Sequence, residues 1–162
     1  MTAEEVIRTL SLRPHPEGGH YAEVFRAQGE LTSAQHRGPR RASTAIYFLL
    51  ASHEFSAFHR VRSDELWHHY AGDALELTLL DEQGAQTLRL GSDLSHGERP
   101  LGVVPAGVWQ AARPAPGSHG YALCGCTVAP GFEFEDFEMP SRAALLALLP
   151  AHRERIVSLT RE

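Results

Sequence analysis

His59, Glu65 and Gln110 are the residues of this 162-residue chain whose types and spacing could do chemistry. In the run EFSAFHRV, strand alternation puts Ala57, His59 and Val61 on one face. A histidine flanked by Ala and Val points inward. After the link RSD the same alternation groups Glu65, Trp67 and His69, which join His59 if the register holds. In such a pocket His59 is the natural general base, because an imidazole pKa of ~6.5 lies close to working pH. Glu65 would orient it or balance its charge. A different chemistry opens if His69 turns inward: His59, Glu65 and His69 then form a donor set for a divalent metal, Zn, Ni or Fe.

The composition excludes more than it proposes. All fifteen basic residues are arginine, so no lysine is present to form a Schiff base, anchor pyridoxal phosphate or complete a P-loop. No Gly-x-Ser-x-Gly elbow and no glycine-rich dinucleotide fingerprint occurs. A formal charge of −5 disfavours nucleic-acid binding. The basic loop HRGPRRAS, with Arg37, Arg40 and Arg41, reads as solvated. Cys124 and Cys126, two apart in a strand-like run, read as free core thiols. No apolar run approaches the ~20 residues of a membrane span, and the N-terminus lacks a secretion pattern, so a cytoplasmic home is expected.

The elements that must position these residues are mostly short strands. Thr2 and Glu5 form a capping box for a helix running to about Leu12, with Val6, Ile7 and Leu10 as its apolar stripe. PHPEGG reads as a turn into the strand HYAEVFRA. From Ser43 onward, runs rich in β-branched and aromatic residues alternate with Gly, Pro and Asp turns, giving about eight to ten strands. DEQG looks like a hairpin loop and PLGVVPAGVWQAARP like a further hairpin unit. Ser141 caps a final helix, RAALLALLP, and the short amphipathic piece ERIVSLT follows. The expectation is one domain over residues 1–162: an all-β double-stranded β-helix, or jelly-roll barrel, with short N- and C-terminal helices. His15, His36, His53, His96, His119 and His152 fall in loop-like or terminal stretches and are read as surface residues. Phe132, Phe134 and Phe137 are read as core or dimer contact, and Trp67 and Trp109 as core packing before ligand stacking.

Several stretches carry a family resemblance. His59-x-Val61-x3-Glu65-x6-Gly72 looks like the first cupin motif, and Pro105-Ala-Gly107-Val-Trp-Gln110 is similar to the second. With LRPHPEGGHYAEVFR, STAIYFLL, HRVRSDELWHHYAGD and GCTVAPGFEFEDFE included, the chain resembles the Cupin_5 (DUF985) family from about Leu12 to Thr160. The resemblance implies an RmlC-like jelly roll, usually a homodimer, with no assigned reaction. Two of the three histidines of a metal cupin are replaced, by Val61 and Gln110, which favours a metal-free pocket with no firm cofactor. The sugar epimerases of the RmlC group use a histidine base and a tyrosine acid. Cys124 stands where that tyrosine is expected, leaving Tyr47 or Tyr21 as substitutes. The functional expectation is a small-molecule site with His59 and Glu65 as catalytic residues and Gln110, His69, Trp67, Tyr47 and Tyr21 around the ligand. Its substrate would be carbohydrate-like or another polar metabolite, and its reaction an isomerisation or epimerisation. The alternatives are a metal-dependent oxygenase or isomerase, and a metabolite-binding protein without catalysis.

Overall fold

The apolar alternation of the chain resolves into two antiparallel sheets, as seen in a computed structural model describing residues 1–162. The strands are β1 (Arg13–Pro14), β2 (His20–Arg26), β3 (Glu30–Leu31), β4 (Arg40–Arg41), β5 (Thr44–Ala51), β6 (Ser56–Val61) and β7 (Asp64–Gly72). They continue with β8 (Leu75–Asp81), β9 (Gly84–Leu90), β10 (Leu101–Val104), β11 (Trp109–Pro114), β12 (Tyr121–Ala129) and β13 (Phe137–Glu138). One sheet has the order β1-β2-β5-β12-β7-β10 and the other β13-β6-β11-β8-β9, the two facing sheets of a jelly roll. Three short helices, α1 (Ala3–Thr9), α2 (Arg142–Leu148) and α3 (Arg153–Ser158), lie at the two ends of the chain. None is long and apolar enough to cross a membrane.

The helices form where their caps demand. The Thr2 hydroxyl accepts from the Glu5 amide and the Glu5 carboxylate accepts from the Thr2 amide, so the capping box is closed. The helix ends at Thr9 rather than near Leu12. Ser141 caps α2 through the Ala144 amide. Both C-terminal helices cover the outer face of the second sheet, where Leu145, Leu149, Ile156 and Leu159 pack on Phe58, Leu80, Trp109 and Ala111. That covering explains why β6 is buried on both faces while its alternation still holds.

Between the sheets the barrel is filled only in part. Phe48, Leu50, Trp67, Leu75, Leu77, Leu90 and Cys124 belong to its main core. Toward the end marked by Val61, Glu65 and Val128 the packing stops, and a cavity begins.

Three expectations about the elements need correction. PLGVVPAGVWQAARP is not a hairpin: β10 pairs with β7, whereas β11 pairs with β6 and β8 in the other sheet. A left-handed turn at Gly107 (φ +80°) carries the chain across the barrel. The loop HRGPRRAS is not merely solvated, because Arg40 is buried and grips Asp136 through two hydrogen bonds of 2.7 and 2.9 Å. Nor is His36 a surface residue: its ring is buried and bonded at Nε2 to Ser63 Oγ, 2.9 Å away.

Candidate functional site

The cavity has a volume of about 250 Å³ and opens at one end of the barrel. β6 contributes His59 and Val61, β7 contributes Glu65, and β12 contributes Cys126 and Val128. β2 adds Tyr21, Glu23 and Arg26, and the turn before it adds His15 and Glu17. The expected inward face of β6 and the expected inward position of Glu65 therefore converge on one hollow.

The carboxylate within reach of His59 is not the expected one. His59 Nε2 faces Glu17 Oε2 at 3.2 Å, while His59 Nδ1 bonds the Ala57 carbonyl at 2.8 Å. A carbonyl only accepts, so the proton of His59 sits on Nδ1 and its Nε2 lone pair is turned toward Glu17. Ser56 Oγ donates to the other Glu17 oxygen at 2.9 Å. His15 Nδ1 lies 3.5 Å from Glu17 Oε2 and accepts from the Glu17 amide.

Glu17 reaches this position because the turn leaves no room behind it. Gly18, with φ +113°, packs against the Phe55 carbonyl and Arg161, where a side chain would collide. Arg161 in turn donates to the Glu17 and Phe55 carbonyls.

Burial sets the protonation states. It raises the Glu17 carboxyl to about 8, against the bonds from Ser56 and the Arg161 charge. It raises Glu65 to about 6, held there by the His59 charge and the bond from Gln110. It lowers His59, and lowers His15 to about 4 with help from the charge of His59. Burial thus favours the protonated carboxyl at Glu17 more than at Glu65, and the neutral imidazole at both His15 and His59.

The remaining expected site residues are distributed as follows. Tyr21 lines the cavity. Gln110 and Trp67 lie beneath it: Trp67 Nε1 donates to Gln110 Oε1 at 2.8 Å, and Gln110 Nε2 donates to Glu65 Oε2. They form its supporting layer and not its wall. His69 lies four residues along β7 from Glu65, about 13 Å at the rise of a strand, beyond Trp67. Its Nε2 bonds the Asp73 carbonyl at 3.0 Å. Tyr47 is on the outer face of its sheet, packed near α1 and set edge-on to Tyr70. Cys124 is core, as expected, with its thiol pushed up to about 12 by burial.

Two groups that the sequence reading set aside belong to the site. His15 is not a surface residue: its side chain is 6% exposed and stands in the cavity wall. Phe132, Phe134 and Phe137 also line the cavity, packed on one another with centroids 5.0–6.1 Å apart. The loop that carries them is fastened by Arg26 to Glu133 at 2.7 Å and by Arg40 to Asp136. Glu17 had one signal in the sequence, an acidic residue inside PHPEGG, a turn too short to carry it far from the barrel.

A divalent metal does not fit these residues. His69 is out of reach, Val61 offers no donor, and His59 is committed at Nδ1 to a carbonyl and at Nε2 to Glu17. No group of three His, Cys, Asp or Glu side chains is arranged to hold an ion.

The family model Cupin_5, described as Cupin superfamily (DUF985), matches residues 4–140. A hypothetical protein from Leishmania major is 36% identical, with a TM-score of 0.94 over 100% of both chains. Protein SO0799 from Shewanella oneidensis is 38% identical, with a TM-score of 0.89 over 99% of this chain and 98% of its own. The uncharacterized protein YML079W of Saccharomyces cerevisiae is 27% identical over 90% of this chain and 85% of its own.

Proposed function

The chain belongs to the Cupin_5 family of the cupin superfamily, and on that premise we propose that its cavity binds a small molecule and exchanges protons with it, as an isomerase or epimerase does. One observation carries the reading: two buried carboxyl groups, Glu17 and Glu65, line the same cavity with His59 between them, and burial pushes Glu17 further above the ordinary carboxylate range than Glu65. Pairs of titratable groups pushed apart by their surroundings are how a site holds an acid and a base at one pH.

Glu65 is the base in this reading. It accepts a proton from carbon or oxygen of the substrate, and Gln110 Nε2 holds one of its oxygens in place. The Glu17–His59 pair is the acid. The Glu17 carboxyl gives its proton directly to the substrate, His59 Nε2 at 3.2 Å holds the carboxyl in place, and the Ser56 hydroxyl, which donates to Glu17, steadies the carboxylate left behind. His59 thus acts together with Glu17, and the sequence-based role of a lone imidazole base passes to the carboxylate of Glu65. Tyr21 and the three phenylalanines exclude water from one side of the substrate.

The partner in solution is proposed to be a second copy. Phe25, Tyr70, Leu101 and Val103 stand roughly half exposed on the outer face of the first sheet, where Gly125 lets the Tyr70 ring lie flat. An apolar patch of this kind on a sheet face suits a symmetric contact.

Proton exchange is the test. Small sugars, sugar phosphates and hydroxy and keto acids are incubated with the protein in D₂O, and C–H loss is followed by NMR. Exchange that disappears in Glu65→Gln supports the reading. No exchange with any of these compounds, together with ligands that stabilise the fold and return unchanged, would replace it by a binding protein without catalysis.

A further inference from the structure

Arg13 is the cation of the cavity that the protein itself leaves unused. Of the two arginines in the wall, Arg26 is fully committed: it donates to Glu23 at 2.8 Å, to Glu133 at 2.7 Å and to the Phe132 carbonyl at 3.2 Å. Arg13 has no carboxylate partner. It stands on the exposed edge strand β1, which register with β2 places opposite Tyr21, and its guanidinium carbon lies 5.1 Å from the centre of the Tyr21 ring. Stacking on an aromatic face fixes the plane of a guanidinium while its edge donors stay free for a bidentate anion.

The rest of the cavity defines what an anion bound there must look like. Phe132, Phe134 and Phe137 offer hydrocarbon, with no donors for a row of sugar hydroxyls. The polar groups His59, Glu17 and Glu65 are buried deep in the barrel. A volume of about 250 Å³ is smaller than the ~300–1,000 Å³ pockets that enclose drug-sized ligands, which suits a small acid and not a nucleotide-linked sugar. We propose, resting on the reading of this cavity as a small-molecule site, that Arg13 is its anion receptor and that the ligand is a small organic anion, a carboxylate or phosphate monoester, with an apolar body. The acidic group sits at Arg13, the apolar part lies against the phenylalanines, and the reacting position reaches the carboxyl groups.

The test uses three probes of one shape: phenylacetate, phenyl phosphate and the neutral phenylacetamide, titrated calorimetrically into the native protein and into Arg13→Gln. Arg13 is exposed and unpaired, so the variant keeps the fold, which circular dichroism verifies. The expected result is that one or both anions bind, that the amide binds at least about tenfold more weakly, and that Arg13→Gln weakens the anions by a similar factor without changing the amide. Which anion binds more tightly tells a carboxylate from a phosphate ligand. Equal binding of anion and amide, or unchanged anion binding in Arg13→Gln, overturns the inference while the small-molecule reading stands. Silence from all three probes also overturns it. The broader reading falls with it only if the D₂O exchange experiment is negative too.

Discussion

Replacing Glu17 by Gln isolates the energetic consequence of burying a carboxyl group beside His59. The amide reproduces the protonated acid: it can donate to His59 Nε2 and accept from Ser56, so the contacts of the neutral form persist. What disappears is titration. In the unfolded chain the carboxyl titrates near 4.5 and in the folded protein near 8, so between these values the folded state holds a proton that the unfolded state has released. Native stability therefore falls as pH rises from 4.5 toward 8, and levels off above. A gap of about 3.5 pH units at about 1.36 kcal/mol each is about 5 kcal/mol in all. Some of this loss already exists at pH 5.5, and the part between pH 5.5 and 8.5 is about 3 kcal/mol. Glu17→Gln should gain roughly that amount over the native protein across this interval, and somewhat more because the Glu17 charge is also one of the causes that raise Glu65. Urea unfolding followed by fluorescence of the buried Trp67 and Trp109 measures it. With a slope of about 2 kcal/mol per molar, the midpoint difference should move by roughly 1–2 M. A difference between the two proteins that is the same at pH 5.5 and 8.5 would show that Glu17 titrates normally, and the acid half of the proposed mechanism would be lost.

Other predictions follow from the same geometry. Turnover should show a bell-shaped pH dependence with limbs near 6 and 8, since Glu65 is protonated below the first and Glu17 is ionised above the second; a single limb would refute the paired roles. Gln110→Leu strands the Trp67 N–H and removes a donor from Glu65, so it should cost about 2–4 kcal/mol in urea unfolding and raise the Glu65 pKa further. Asp136→Ala removes the bidentate, buried partner of Arg40 and leaves it only the exposed Glu135 carboxylate, and should expose the loop bearing the phenylalanines to limited proteolysis ahead of the rest of the chain. If a second copy covers the outer face of the first sheet, the native protein should scatter light as two chains and Val103→Lys or Tyr70→Lys as one; a native mass of one chain, or a mass unchanged by both variants, would remove that proposal.

The sequence by itself determined the longer strands, the inward faces of β6 and β7, and hence one pair of the site. Alternation with a period of two is a local property, and it placed Ala57, His59 and Val61 inward and brought Glu65 to the same hollow. The caps at Thr2 and Ser141 were legible for the same reason, because each depends on residues three apart. His69 shows where local reading ends: alternation assigns a face but says nothing of how far along the strand a cavity extends, and four residues took that side chain past Trp67. The tertiary structure alone decided that Glu17 is the partner of His59, that Phe132, Phe134 and Phe137 form a wall of the cavity, and that Arg40 reaches Asp136 across 96 positions of chain. Each of these depends on loops brought together by the closing of the two sheets. The contacts that fix them, aromatic packing and buried hydrogen bonds and ion pairs between residues far apart in the chain, leave no periodic trace in the order of residues.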